Sequence, residues 1–168
     1  MLGRLQPACN FSVALVLIVS IWGWGVGLEL ERLVYESKAT GTTESLGNLV
    51  VILAESQKNN ARDGLTGALA AHRERYIQVV EGPAQALDSL LRRLEDDPRH
   101  KDVTLLDRQP ISERLFGAWT MASARITPAY GEALDRLVEG DELTPPKVIR
   151  ILLDAVRADQ FEKAVSAS

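Results

Sequence analysis

The sequence predicts an α+β fold of the ferredoxin-like type: a sheet built in the order β-α-β-β-α-β-β, with two helices on one face and two C-terminal helices closing the other. Three observations carry this. Short runs alternate apolar and polar residues, the stretches between them set apolar residues at helical spacing, and turn-forming clusters separate the two. With 168 residues, 46% hydrophobic and 25% charged, the chain supports one real core and little beyond it.

From Glu31 to Ser37 the period is that of a strand, with Leu33, Tyr35 and Ser37 on one pleat face and Val34 and Glu36 on the other. ATGTT breaks the run. Thr43 then serves as a helix cap, Glu44 suits the positive end of the helix, and Leu46, Leu49, Val50, Leu53 and Ala54 form an apolar stripe that ends near KNNARDG. Leu65 to Ala71 and Tyr76 to Val80 are β-prone runs joined by HRER, which predicts a hairpin. A second helix follows Pro83, with Ala86, Leu87, Leu90, Leu91 and Leu94 inward and a stop at DDPRH. Val103 to Leu106 and Ala118 to Ala122 supply the last strands, separated by a loop around Gln109-Pro110. Two closing helices follow, Pro128 to Glu139 and Thr144 onward, the latter opening on a Thr cap and Pro145. They are expected to cover the open sheet face.

Composition excludes several functions. A net charge of −4 and a pI near 5.3, with Lys and Arg dispersed among carboxylates, argue against a nucleic-acid surface. A lone Cys9 excludes an internal disulfide framework, and His72 and His100 lack ligand-spaced companions, so no metal centre is expected. The uncharged run from Phe11 to Leu28 admits three readings, ranked in this order: residues upstream of the true start, a membrane anchor, a signal-peptide core. No small-x-small cleavage site follows it, and it ends almost directly at the strand near Leu30.

The most informative polar residue is Gln78, set inside the apolar strand YIQVV on the face of Tyr76 and Val80. Covered on both faces, its amide must find partners, since an unpaired one costs about 1–3 kcal/mol. Taken alone, a strand-edge glutamine bonded to water explains it better. Tyr35 is open to the same plain reading as a packing tyrosine. Asn59-Asn60 frames a polar ligand edge or simply ends a helix, Arg93 meets a phosphate or is a solvated charge, and Trp119 and Met121 alternate on the last strand as a core pair sharing one face.

LVYESKAT, SQKNNARDGLTGAL, YIQVVEGP, LEDDPRH and FGAWTM, however, stand in the order and spacing of the BLUF family, the blue-light sensors that bind flavin adenine dinucleotide. The resemblance runs from Leu30 to Met121 and implies a flavin-binding domain over 29–125, cap helices over 126–160 and a tail over 161–168, after an extension over 1–28 foreign to the family. It makes Tyr35 the electron and proton donor of a light reaction and Gln78 the amide between that phenol and the flavin. Asn60 would hold the ring's carbonyl and imide edge, helped by Asn59, Ser56 and Ser37, while Arg93 would approach the cofactor phosphates. Trp119 and Met121 would compete for the space beside Gln78 and pass its rearrangement outward. A primary amide carries a donor at one end and an acceptor at the other, so turning it switches a bonding pattern without moving the backbone. Glu36 and Ala70-Ala71 depart from the usual pattern without removing a residue that the light reaction needs.

The resemblance further implies FAD as cofactor, with FMN or riboflavin as substitutes, no catalysis by the chain itself, and a cytoplasmic location unless the apolar run is a real anchor. With no second catalytic domain following, output is expected to pass through self-association or a downstream protein. Two rivals remain: a binding or oligomerisation module that has lost the flavin, and a hydrolase like acylphosphatase. SKATGTT lacks the phosphate-cradling arginine the latter needs.

Overall fold

The computed structural model describes residues 29–41, 46–124, 126–139 and 144–166; the apolar run before Glu29 and the expected Thr43–Glu44 cap lie outside the described residues. In chain order the elements are β1 (Leu30–Ala39), α1 (Leu46–Asp63), β2 (Thr66–His72), β3 (Arg75–Pro83), α2 (Ala84–Asp96), β4 (His100–Ile111), β5 (Ala122–Ser123), α3 (Pro128–Glu139) and α4 (Pro145–Ser166). The sheet runs β4-β1-β3-β2-β5, antiparallel except where β5 joins β2 in parallel. Element order and fold class are those the sequence predicts.

Alternation along the strands sorts the core into two layers. Leu33, Tyr35, Leu69, Tyr76 and Val80 face α1 and α2 and pack with Ile52, Leu87 and Leu94. Val34, Ala68, Ala70, Ile77 and Val79 face the other way, against Leu134 of α3 and Val148, Leu152 and Val156 of α4. The closing helices therefore cover the face that α1 and α2 leave open, as expected.

Backbone conformation fixes the joints. Gly64 follows α1 at φ 66°, a left-handed conformation that glycine adopts without a Cβ penalty. At Gly67 the need is space, because a Cβ there would stand 2.2 Å from the Val79 carbonyl oxygen. The β2–β3 hairpin closes through Arg73 and Glu74, both at positive φ (43° and 59°), between the paired His72 and Arg75. That is the conformation whose twist suits a two-residue hairpin, here adopted without Asn or Gly.

Four details differ from the sequence expectation. The fourth strand runs on through the stretch around Gln109-Pro110, which is strand and not loop. It is an edge strand, where proline is tolerated, and its Arg108 is held by Glu31 at 2.5 Å and Asp88 at 2.6 Å. Residues 118–121 are not strand; β5 is confined to Ala122–Ser123. On α1, Val50 and Ala54 lie outside the buried stripe and Ile52 lies within it. The last helix continues to Ser166, through most of the expected tail.

A buried carboxylate holds the sheet to the segment after β4. Glu81, fully buried on β3, accepts from Arg32 Nε at 2.7 Å and from the amide N–H groups of Leu115 (3.1 Å) and Phe116 (2.8 Å). Arg114 adds hydrogen bonds to Thr66 Oγ1, the Glu81 carbonyl and the Gly64 carbonyl, each 2.8 Å. Removing the carboxylate strands a guanidinium and two N–H groups, so Glu81→Ala is expected to lower the unfolding free energy by about 3 kcal/mol. Val51→Ala, at a side chain 53% exposed, should change it by under about 0.5 kcal/mol. Urea denaturation of the two variants checks the difference.

Candidate functional site

Between α1, α2 and the sheet lies a cavity of about 210 Å³. The sheet contributes Tyr35 from β1 and Gln78 from β3, which stand directly opposite each other in the strand register. Helix α1 presents Ile52, Ser56, Asn59 and Asn60, which continue the spacing of its buried stripe but change from apolar to polar over the cavity. Helix α2 presents Leu90, Arg93 and Leu94, the turn after it adds Asp97 and Arg99, and β4 opens on His100. Met121 closes the side.

At the floor, the buried Tyr35 hydroxyl donates to Gln78 Oε1. Among the described residues, the other end of the amide, Nε2, meets only the thioether of Met121, Sδ lying 3.8 Å away. Sulfur is a weak acceptor, so a strong donor within the protein interior is left nearly unused. Burial, and secondarily the negative charge of Asp97, push the Tyr35 phenol well above the ordinary tyrosine range, which keeps the proton on its oxygen.

Above the floor, a charge network frames the opening. Arg99 Nη2 binds Asp97 Oδ2 at 2.6 Å and its Nη1 binds Glu55 Oε2 at 2.6 Å, tying the turn to α1. The hydrogen bonds from Arg99 hold the Asp97 carboxyl below its usual range. Arg93 Nη2 lies 2.9 Å from Asp63 Oδ2, an ion pair that, after the hydrogen bond from Arg62, helps to hold the Asp63 carboxyl below its usual range.

Most of the residues singled out in the sequence meet at this cavity: Tyr35, Ser56, Asn59, Asn60, Gln78, Arg93 and Met121. Ser37 does not line it. Its Oγ sits 2.7 Å from Nδ1 of His100, so it buttresses a wall residue from behind. Trp119 is not on the cavity side either, which corrects the expected shared face with Met121. Met121 packs in the layer under α1 and α2, and Trp119 packs on the opposite layer, its ring centroid 6.4 Å from that of Phe116. The reason is local. Residues 119–121 are held by the Gly67 N–H on Trp119 O (2.9 Å), Asn60 Nδ2 on Thr120 O (2.7 Å) and Gln57 Nε2 on Met121 O (3.0 Å), so strand alternation does not apply there.

The sequence reading assigned no role to Glu55, Gln57, Asp97, Arg99 or His100. In LEDDPRH, which the sequence marks as a helix stop, an Asp two residues before an Arg, its carboxylate accepting that residue's backbone N–H, is the turn signal available there.

Burial also holds the His100 imidazole below its unfolded value of 6.5. The native state thus disfavours the charged ring, and the stability this contributes is complete above 6.5 and fades as pH falls through the native value. The chain has two histidines, so an NMR titration with His72→Gln to separate the signals reads the value directly. His100 is expected to titrate below 6.5; a midpoint at or above that would contradict a buried neutral ring.

The polar set suits a flat heteroaromatic ligand with several acceptors: an under-used amide N–H, a guanidinium and two asparagines, between apolar side chains. Among the described residues no group of His, Cys, Asp and Glu is arranged to hold a metal ion, and no helix is long and apolar enough to cross a membrane.

Comparison with known proteins agrees with this chemistry. The family described as BLUF, sensors of blue-light using FAD, matches residues 30–122. Photoactivated adenylate cyclase subunit beta of Euglena gracilis is 34% identical over 164 residues, covering 89% of this chain and 19% of the relative. Its counterpart in Euglena longa is 36% identical, with the same coverage. The chain thus spans about a fifth of the length of these curated relatives. Among solved structures, the dark state of the BLUF protein BlrB superposes with a TM-score of 0.63 at 32% identity, covering 78% of this chain and 97% of that one. A bacterial light-regulated adenylyl cyclase gives 0.61 at 27% identity, covering 76% of this chain and 40% of that one. With a match to more than half its length and a cavity whose donors fit a flavin, the chain belongs to the BLUF family of blue-light sensors.

Proposed function

We propose that this chain is a blue-light photoreceptor that binds FAD in the cavity under α1 and α2 and registers light as a rearrangement of the hydrogen bonds of Gln78. The observation that carries the reading is the buried amide itself, held at its oxygen by Tyr35 while its N–H₂ end has only a thioether.

Bound flavin supplies, on absorbing blue light, an acceptor for one electron. Tyr35 is the donor. Its buried phenol resists simple ionisation, so proton and electron leave together, and the proton moves along the bond it already makes to Gln78 Oε1. Electron and proton would then return to Tyr35, leaving Gln78 rotated or tautomerised, with its donor and acceptor ends exchanged while β3 stays in place. A bond gained or lost in such a site is worth about 1 kcal/mol, enough to change a two-state ratio roughly fivefold.

Asn60, Asn59 and Ser56 hold the ring from the α1 side, and Arg93, on the α2 side of the cavity, meets the phosphates. FAD is preferred because the family is described by it. A solved relative, BlrP1 of Klebsiella pneumoniae, holds FMN, so release of the bound flavin and chromatography decide between them.

Met121 touches the amide, and Trp119, two residues earlier, belongs to the layer under α3 and α4. A change in the Gln78–Met121 contact therefore has a short route to the cap helices. Output passes from there to another protein or another copy of the chain, in the cytoplasm where flavin is made, and the chain itself is not an enzyme.

Purified protein is expected to be yellow and to show a small reversible red shift of its visible absorption under blue light. Tyr35→Phe and Gln78→Leu should each retain flavin and lose the shift, because the first removes the transferable proton and the second the two-ended amide. A colourless protein would favour the flavin-free binding module. A photocycle surviving in either variant would refute the assigned roles.

A further inference from the structure

We propose that Gln57 is a positioning residue of the light reaction: by holding the Met121 carbonyl it keeps the Met121 thioether against Gln78 in the dark and draws it back after illumination. The role rests on the photoreceptor reading above and falls on a residue outside the cavity lining. Gln57 Nε2 donates to Met121 O at 3.0 Å, and Met121 Sδ lies 3.8 Å from Gln78 Nε2. Met121 thus carries both contacts, its carbonyl tied to α1 and its sulfur set against β3.

The local backbone explains why one such bond counts. The chain bends at Thr120 and Met121 and joins the sheet at Ala122, whose partner on β2 is Ala68. Before that point its carbonyls are held from outside the segment. Gly67 N–H meets Trp119 O at 2.9 Å, Asn60 Nδ2 meets Thr120 O at 2.7 Å, and Gln57 meets Met121 O. Gln57 and Asn60 stand three residues apart on one face of α1, which lets a single helix reach two consecutive carbonyls. Gly67 and Asn60 are buried, whereas Gln57 is exposed. Water can therefore take the place of Gln57 on its carbonyl, and of these bonds it is the one that opens and closes most readily.

Turning the Gln78 amide obliges Met121 to respond. With Nε2 towards the sulfur, the contact is a weak hydrogen bond. With Oε1 in that place, two atoms that both carry lone pairs face each other, and Met121 withdraws. Its withdrawal pulls on the carbonyl that Gln57 holds. Return to the dark arrangement brings donor and carbonyl together again, so the bond favours recovery over persistence of the lit state.

The chain has two methionines, Met1 and Met121, so methyl-¹³C methionine labelling of the flavin-loaded full chain gives Met121 a signal of its own. In the dark, Gln57→Leu is expected to shift or broaden that signal, and Gln57→Arg, which keeps N–H donors on a long side chain, to restore it. After a blue flash, the red-shifted state of Gln57→Leu should decay about twofold to fivefold more slowly than wild type, the effect of losing one partly solvated hydrogen bond, and Gln57→Arg should return close to the wild-type rate. Lys58→Leu, at an exposed neighbouring position on α1, should change neither reading. A Gln57→Leu protein with the wild-type methyl signal, or with a decay as fast as wild type or faster, would overturn the proposal. So would an equal effect of Lys58→Leu, or a slowed decay that Gln57→Arg fails to restore. If wild type shows no red shift at all, the photoreceptor reading fails, and the dark methyl signal still decides whether Gln57 holds Met121 in place.

Discussion

One buried hydrogen bond, Tyr35 hydroxyl to Gln78 oxygen across β1 and β3, is the constraint around which the rest of the molecule is arranged. It exists because the two strands pair in a single register. A slip of one residue would turn one of the two side chains to the opposite face, under α3 and α4, and so part the pair. The register is set by the alternation of Leu33, Tyr35 and Ser37 against Tyr76, Gln78 and Val80, and by the two-residue hairpin that fixes β3 on β2. Burial then makes the bond consequential, since in water the amide would exchange partners at no cost.

A second consequence of the strand geometry is that the two faces of β3 do different work. Gln78 looks into the cavity, while Glu81, on the opposite pleat of the same strand, holds the backbone of Leu115 and Phe116. Only a few residues later that backbone delivers Trp119 to one core layer and Met121 to the other. Gln57 and Asn60 reach over from α1 to hold the carbonyls of Met121 and Thr120. The short segment from Phe116 to Ala124 thus joins the cavity, the sheet and the cap layer in a single stretch of chain. It lacks a regular ladder, so side-chain contacts determine its shape more than they would in a strand.

The fold was largely legible because alternation and helical spacing are strong signals, and the buried Leu87 and Leu94 of α2 lie on the stripe that the periodicity marks. The failures have physical causes. Gln109 and Pro110 read as a loop because strand patterns are judged by apolar faces, and an edge strand needs neither an unbroken ladder nor a second buried face. Val50 was placed inward because α1 gives up part of its apolar stripe to Ser56, Asn59 and Asn60 over the cavity, which shifts the apparent centre of its inner face towards residues that are exposed. Trp119 and Met121 were given one face because spacing alone assumes a strand. Of the site, spacing and resemblance recovered the floor and the α1 wall. The Asp97–Arg99–Glu55 network and the Ser37 contact behind His100 are long-range pairings that no local pattern encodes.

The central claim concerns the amide of a single residue, and glutamine isotope labelling isolates it, because Gln78 is the buried glutamine among the described residues while Gln57, Gln85, Gln109 and Gln160 are exposed. The direct measurement is the light-minus-dark infrared difference spectrum of protein carrying ¹³C at the glutamine side-chain carbonyl. A difference band in the amide carbonyl region that moves with the label is the result expected if Gln78 changes its bonding. A light-induced spectrum in which no band responds to the label would contradict it.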